Sequence, residues 1–267
     1  MDENRYFETI AEYKLLAKHE VGQNFLVDKD VCKKIVNLLQ VDRDDNVLEI
    51  GCGAGSLSYF LSNYDNPITL IDIDEALVTK LKNDFANRSN VAVVQANALK
   101  FDMSSFTKII GNLPYYITSS LLERILLNAE KCKKSAIMVQ KEVFFRLSSS
   151  VKQEGYGPLS LLIAYRADIK KEFIVRRNSF TPSPHVDSVV FSLNFKEEAS
   201  IETARNLYSF TSKIFLHRRK TILNNLSIYL GNEEEANKLL LKSGINQKQR
   251  PEEIDLKHYL ILLSFLH

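Results

Sequence analysis

The apolar run Val47-Leu-Glu-Ile50 leads without a break into Gly51-Cys-Gly-Ala-Gly55. A buried strand that ends in three alternating glycines requires a tight turn, in which main chain rather than side chain faces what lies beyond the strand. Ile68-Thr-Leu-Ile71 reads as a second such strand, ending at Asp72, and Val91–Gln95, Lys108–Ile110 and Ala136–Val139 are further short apolar runs. Between them apolar residues recur at helical spacing. Val31, Ile35, Leu38 and Leu39 mark a helix from Asp28, which can serve as its N-cap, to about Gln40. Leu77, Leu81 and Phe85 mark another behind Asp74, and Leu122, Ile125 and Leu126 a third over about Ser119–Ala129. Short strands alternating with helices predict parallel pairing with helices on both faces, the doubly wound α/β class. Beyond Gly157 the pattern changes: Ile169–Val175 and Val186–Phe195 alternate over longer stretches and are expected to close the sheet as an antiparallel pair. After Lys196-Glu-Glu198 the chain reads as helical to its end. The expected organisation is a Rossmann-like domain over residues 1–197 and a smaller all-helical domain over residues 198–267.

Composition narrows the classes. Hydrophobic residues make up 45% and charged residues 25% of the 267 positions, enough apolar side chain for a proper core. The first twenty residues mix Asp2, Glu3, Arg5, Glu8, Glu12 and Lys14 and contain no apolar core, so no secretory leader is expected. The strongest apolar run, Tyr259–Leu266, is far short of the roughly 20 residues that span a bilayer. Cys32, Cys52 and Cys132 are scattered and odd in number, with neither zinc-ligand nor disulfide spacing; no metal is expected, and a reducing cytoplasm suits them. The formal net charge of +2 excludes a polycation, although residues 201–267 hold 10 Lys/Arg against 7 Asp/Glu. Local clusters (Lys131, Lys133 and Lys134; Lys170, Lys171, Arg176 and Arg177; Arg218, Arg219 and Lys220) can neutralise phosphates or simply form solvated faces.

The glycine loop alone is a weak signal, because similar turns serve dinucleotides or nothing at all. Asp72, 23 residues after Glu49, sharpens it: a carboxylate at the end of the second strand can accept hydrogen bonds from both hydroxyls of a ribose. The spacing G-x-G-x-G, rather than G-x-G-x-x-G, suits a nucleoside that carries a methionine moiety in place of a pyrophosphate. Asn112-Leu-Pro-Tyr115 then follows a strand of the same sheet, at the carboxyl edge where such folds bind ligands. An exocyclic base amine is a poor nucleophile because its lone pair is delocalised into the ring. Two acceptors that engage its N–H groups favour a tetrahedral nitrogen with its lone pair aimed at a methyl donor. The Asn112 side-chain oxygen can be one acceptor and the Leu113 carbonyl the other, with Pro114 biasing Leu113 away from the helical region. Tyr115 can supply a flat face for an extruded base, a contact worth about 1–3 kcal/mol.

Five motifs occur in order: Gly22-Gln-Asn-Phe-Leu26, Glu49-Ile-Gly-Cys-Gly53, Asn112-Leu-Pro-Tyr115, Gln140-Lys-Glu-Val143 and Phe180-Thr-Pro-Ser-Pro-His-Val-Asp-Ser188. Together they resemble the small-subunit ribosomal RNA adenine dimethyltransferases, the kasugamycin-sensitivity enzymes. The likeness runs from about Lys18 through the helical tail, where Phe215-Leu-His-Arg-Arg-Lys-Thr221 resembles that family's basic helix. The resemblance implies S-adenosylmethionine as cofactor, with Asn24 and Leu26 closing over it. Gly51 would contact its methionine end, Asp72 its ribose and Asn97 its adenine, while Asn112 would touch both methyl donor and target. Phe180 would be the second face gripping the flipped adenine. It further implies two adjacent target adenines near the 3′ end of the small-subunit RNA, an immature small subunit as partner, and action as a monomer in the cytoplasm without a membrane.

Two residues depart from the family pattern. Asn97 stands where Asp is usual; an amide oxygen accepts an adenine N–H more weakly than a carboxylate, so Asn97→Asp is expected to tighten cofactor binding. Tyr116 stands where Asn is common, and nothing in the sequence explains it. Three other readings compete. The macrolide-resistance enzymes dimethylate one large-subunit adenine on the same fold, but Val186-Asp-Ser188 and the Arg218-Arg-Lys220 segment favour the small-subunit branch. DNA adenine methyltransferases usually carry Asn/Asp-Pro-Pro-Tyr and a larger recognition region than residues 198–267 provide. A non-catalytic assembly factor would have no need of an intact glycine loop, Asp72 and Asn112-Leu-Pro-Tyr115.

Overall fold

The computed structural model describes residues 2–12 and 24–266. In chain order the first part comprises α1 (Glu3–Glu12), β1 (Phe25–Leu26), α2 (Lys29–Asn37), β2 (Val47–Ile50), α3 (Ser56–Leu61), β3 (Ile68–Asp72), α4 (Glu75–Asp84) and β4 (Val91–Gln95). There follow β5 (Lys108–Asn112), α5 (Thr118–Asn128), β6 (Lys134–Gln140), α6 (Lys141–Leu147), α7 (Pro158–Arg166), β7 (Ala167–Val175), β8 (Phe180–Thr181) and β9 (Ser188–Phe195). Four helices complete the chain: α8 (Ile201–Ile214), α9 (Ile222–Leu230), α10 (Glu233–Lys242) and α11 (Leu256–Ser264).

Seven strands form one sheet in the order β4-β3-β2-β5-β6-β9-β7. The first five pair in parallel, and β9 then runs antiparallel to β6. All four residues of β2 are buried, as expected for a central strand covered on both faces and written as a nearly continuous apolar run. The chain builds outward from β2 through β3 to β4, then returns to lay β5 on the other side of β2. That reversal is the switch point at which open α/β sheets bind ligands. Register does the rest. Ile50 pairs with Ile71, and Glu49 with Ile110, so Gly51 is level with Asp72 on one side and with Asn112, two residues past Ile110, on the other.

The sequence places the helix starts correctly because their caps are local. Asp28 accepts the Val31 N–H at 3.1 Å, and Asp74 accepts the N–H groups of Ala76 and Leu77 at 3.0 and 3.4 Å. Two features lay outside the sequence reading. In α1, Tyr6, Phe7 and Ile10 are buried, and the two rings pack on Tyr59 and Phe60 of α3 with centroids 4.8 and 5.7 Å apart. The other is a two-stranded sheet in which Phe25 pairs with Thr181 and Leu26 with Phe180.

The chain divides into two compact units. One comprises residues 1–144 and 169–195; the other comprises residues 145–168 and 196–267. The last break falls next to the boundary expected after residue 197, but residues 145–168, expected within the 1–197 domain, group with the helical unit. The reason is packing: Leu161 of α7 and Tyr156 before it lie in one apolar cluster with Leu207, Phe210, Leu226 and Tyr259. The Tyr156 hydroxyl also donates to the Ile254 carbonyl at 2.9 Å. Among the described residues no helix is long and apolar enough to cross a membrane. The three cysteines are free thiols, all buried.

Candidate active site

A cavity of about 440 Å³ opens at the carboxyl edge of β2, β3, β4 and β5. Its floor is the glycine turn. Gly51, Gly53 and Gly55 all have positive φ (68°, 54° and 98°), a conformation that L side chains rarely adopt. The turn is held by the Asp72 carboxylate, whose two oxygens accept the N–H groups of Gly53 and Asp74, each at 2.9 Å. Each oxygen keeps acceptor capacity for an outside donor. Burial raises the Asp72 carboxyl above its ordinary range, while the two N–H groups pull it back.

Beneath the turn lies Glu49, an acid on a strand that is otherwise apolar and wholly buried. Its carboxyl is pushed up to about 8, first by burial and then by the nearby charge of Asp72, against a hydrogen bond from the Ser58 hydroxyl at 2.7 Å. Glu49 lines the cavity. Glu49 belongs to the second motif, and an acid inside an otherwise apolar strand is the sequence signal that marks it. Cys52, beside it, stays a protonated thiol because burial and the two acids raise it.

On the other side of the switch point stands Asn112, the last residue of β5. Its Nδ2 group donates to the Asn24 carbonyl at 3.4 Å, which fixes the amide's orientation. Its Oδ1 atom is buried and has no partner among the described residues. An acceptor sealed from water and unpaired is costly, on the order of 1–3 kcal/mol, and such atoms collect at functional sites. The segment beyond is set by its own bonds. Leu113 N–H donates to the Met138 carbonyl at 3.1 Å, the Thr118 hydroxyl to the Pro114 carbonyl at 2.9 Å, and the Tyr115 hydroxyl lies 3.4 Å from the Ser188 hydroxyl. Burial raises the Tyr115 phenol, which therefore stays neutral.

Of the residues singled out from the sequence, Asn24, Leu26, Gly51, Asp72, Asn97, Asn112, Leu113, Pro114 and Tyr115 all line this one cavity. Phe180 does not. It is 4% exposed, paired with Leu26 and packed in the sheet's apolar cluster, because strand pairing commits its side chain to the core. Besides Tyr115, the aromatics that line the cavity are the buried Phe25 and Tyr116, 63% exposed, whose position the sequence left unexplained. Gly22 and Gln23 of the first motif lie outside the described residues.

The donor set fits a nucleoside with an amino-acid tail. A carboxylate with spare lone pairs matches vicinal hydroxyls, a side-chain-free turn admits close approach, and a buried acid faces the place a cation would take. The profile of the family described as ribosomal RNA adenine dimethylase matches residues 15–266. The chain belongs to that family. A ribosomal RNA small subunit methyltransferase A from Malacoplasma penetrans is 36% identical over 264 residues, covering 97% of this chain and 95% of its own. Among solved structures, a dimethyladenosine transferase from Plasmodium falciparum superposes with a TM-score of 0.78 at 24% identity, covering 90% of this chain and 96% of its own. The 23S rRNA methyltransferase ErmE does so with 0.66 at 22% identity, covering 90% and 98%. These two likenesses establish the fold, a mostly parallel α/β sheet with a helical part. As a ribosomal RNA adenine dimethylase, the chain is an S-adenosylmethionine-dependent methyltransferase.

Proposed function

We propose that this dimethylase acts on the small-subunit (16S) ribosomal RNA, placing two methyl groups on N6 of each of two adjacent adenines near its 3′ end. It would do so as a monomer on an immature small ribosomal subunit in the cytoplasm. The observation that carries the reading is the Asn112 side-chain oxygen: buried, fixed in orientation and unpartnered at the edge of β5. It is an acceptor waiting for a donor that the described residues do not supply, and a base amine is such a donor. The small-subunit preference rests on the Malacoplasma relative's name and on the Val186-Asp-Ser188 segment.

Each residue's part follows from its place. S-adenosylmethionine, when bound, supplies a methyl group on a positively charged sulfur. Asp72 would take the ribose hydroxyls with the lone pairs that Gly53 and Asp74 leave free. Gly51 and its turn would admit the methionine end, with Glu49 ionising to meet its ammonium group. Asn24 and Leu26 would close over the pocket, and Asn97 would meet the purine. On the RNA side, Asn112 Oδ1 would take one N–H of the target amine and the Leu113 carbonyl the other. The Pro114 ring restrains Leu113 to extended backbone. Positioning is then the main catalytic contribution, since no side chain has to remove a proton before attack. Tyr115, its ring steadied by Ser188, would stack on the extruded base. Tyr116 offers the second face at the mouth, and the buried Phe180 would brace the strand that carries Leu26.

The helical unit would dock the RNA. Arg218, Arg219 and Lys220 are all exposed, and among the described residues none of the three pairs with a carboxylate. Their turn is held by Asn225, whose Nδ2 group donates to the carbonyls of His217, Lys220 and Thr221 at 3.2, 3.4 and 3.0 Å. A methyl-incorporation assay with purified ribosomal subunits lacking dimethyladenosine tests the proposal. Label should enter two adjacent adenines of the small-subunit RNA; label confined to large subunits would refute it and favour the macrolide-resistance activity.

A further inference from the structure

At the β4 end of the cavity stands an amide whose orientation is fixed by its own backbone. Asn97 Oδ1 accepts the Leu99 N–H at 2.9 Å, and only the oxygen of an amide can take that bond. The Asn97 carbonyl is bonded in turn by the Lys100 and Phe101 N–H groups at 2.9 and 3.0 Å. Asn97 therefore opens a tight turn, and flipping its side chain would break the turn's first bond. Nδ2, a donor, is left with no partner among the described residues, on a residue that lines the cavity.

The sheet says what would lie there. Asp72 ends β3, and β4 pairs beside it through Asp72 and Gln95, two residues before Asn97. A nucleoside whose ribose sits on Asp72 and whose tail runs toward Gly51 and Asn112 must send its base the other way, past β3 toward Asn97. We infer that Asn97 offers the cofactor's purine a free donor beside a half-used acceptor, and that this chain therefore discriminates weakly between a 6-amino and a 6-oxo purine. The inference rests on the cofactor assignment above.

The chemistry is one of matched edges. A 6-amino group has only N–H to offer, whereas a 6-oxo group has only lone pairs. An aspartate at this position would keep the Leu99 N–H on one oxygen and present the other as a pure acceptor, welcoming the amine and repelling the oxo group. Asparagine, held in its one orientation, can meet either: the remaining lone pair of its oxygen can take the amine, and its Nδ2 can donate to the oxo group.

The test is calorimetric binding of S-adenosylhomocysteine and its 6-oxo analogue, S-inosylhomocysteine, to the full chain and to Asn97→Asp. The aspartate retains the turn bond, and its binding of the amino compound reports that it is folded. The ratio of the two dissociation constants should grow by about fivefold or more in Asn97→Asp, since a site that loses a matched polar partner discriminates sharply. A smaller change would overturn the donor assignment at Asn97 while leaving the cofactor reading intact. If the amino compound binds neither protein, the cofactor reading fails, and this inference fails with it.

Discussion

Glu49 shows how one residue ties stability to function. A carboxyl whose ordinary value is 4.5 stands at about 8 in the folded chain because burial removes its hydration. The folded protein therefore holds a proton that the unfolded chain has released between those two values, and stability falls as pH rises across that window. Below it both states are protonated and the effect vanishes; above it the full cost of a buried charge is present. Thermal unfolding of Glu49→Gln against wild type should show the variant gaining relative stability from pH 5 to pH 8.5. Equal pH profiles would show that Glu49 is not buried as a neutral acid. In our proposal the same carboxyl, neutral by itself, would ionise to meet the cofactor's ammonium group. At the other end of the cavity, Asn97 shows a limit of reading residue types alone. From residue type its oxygen is the expected acceptor for adenine, whereas in the fold that oxygen already accepts the Leu99 N–H.

Among the elements, the glycine turn into α3 depends on a helix that the sequence did not announce. A Cβ on Gly55 would lie 2.3 Å from the Tyr6 hydroxyl and 2.6 Å from a Leu81 methyl, at a φ of +98°. Gly231, at +71°, has nothing within 4 Å. Gly55→Ala should therefore cost on the order of 2–3 kcal/mol or more, and Gly231→Ala only about 1 kcal/mol. Similar melting temperatures for the two variants would count against the packing of α1 on this turn. The strands β2, β3 and β5 and the caps Asp28 and Asp74 were legible because their signals are local: an apolar run, a glycine, an acid three residues ahead of a bare N–H. Helix α1 was not, because Tyr6, Phe7 and Ile10 are few among charges and gain meaning only against Tyr59 and Phe60. For the same reason the burial of Phe180 was not legible. Its orientation is set by pairing with Leu26, far away in the sequence, and no window around it carries that information.

Across the whole molecule, division of labour follows the two units: nucleotide chemistry at the sheet edge and, in our proposal, RNA docking through the helical part. The charge asymmetry seen in the sequence is small, yet the structure leaves Arg218, Arg219 and Lys220 exposed on a turn latched by Asn225. Replacing all three by Ala should weaken binding of small-subunit RNA and flatten its salt dependence, lowering the slope of log affinity against log salt by roughly 2 to 3. Affinity for S-adenosylhomocysteine should not change. An unaltered slope would remove these residues from the RNA contact. The nine site residues that meet in one cavity were legible because motif order maps onto strand order at the switch point. The unit boundary was only partly so, since residues 145–168 join the helical core through Tyr156 and Leu161, which cluster with residues more than forty positions away in the chain.

The central claim is that the Asn112 oxygen engages the target amine during methyl transfer. Single-turnover transfer to small subunits lacking dimethyladenosine, measured for wild type and for the near-isosteric Asn112→Leu, tests it most directly, with S-adenosylhomocysteine affinity measured alongside. The account predicts a rate lower by on the order of 10²- to 10³-fold, the scale of losing one preorganised polar contact in a transition state, with the cofactor still bound. A rate within about threefold of wild type would contradict it.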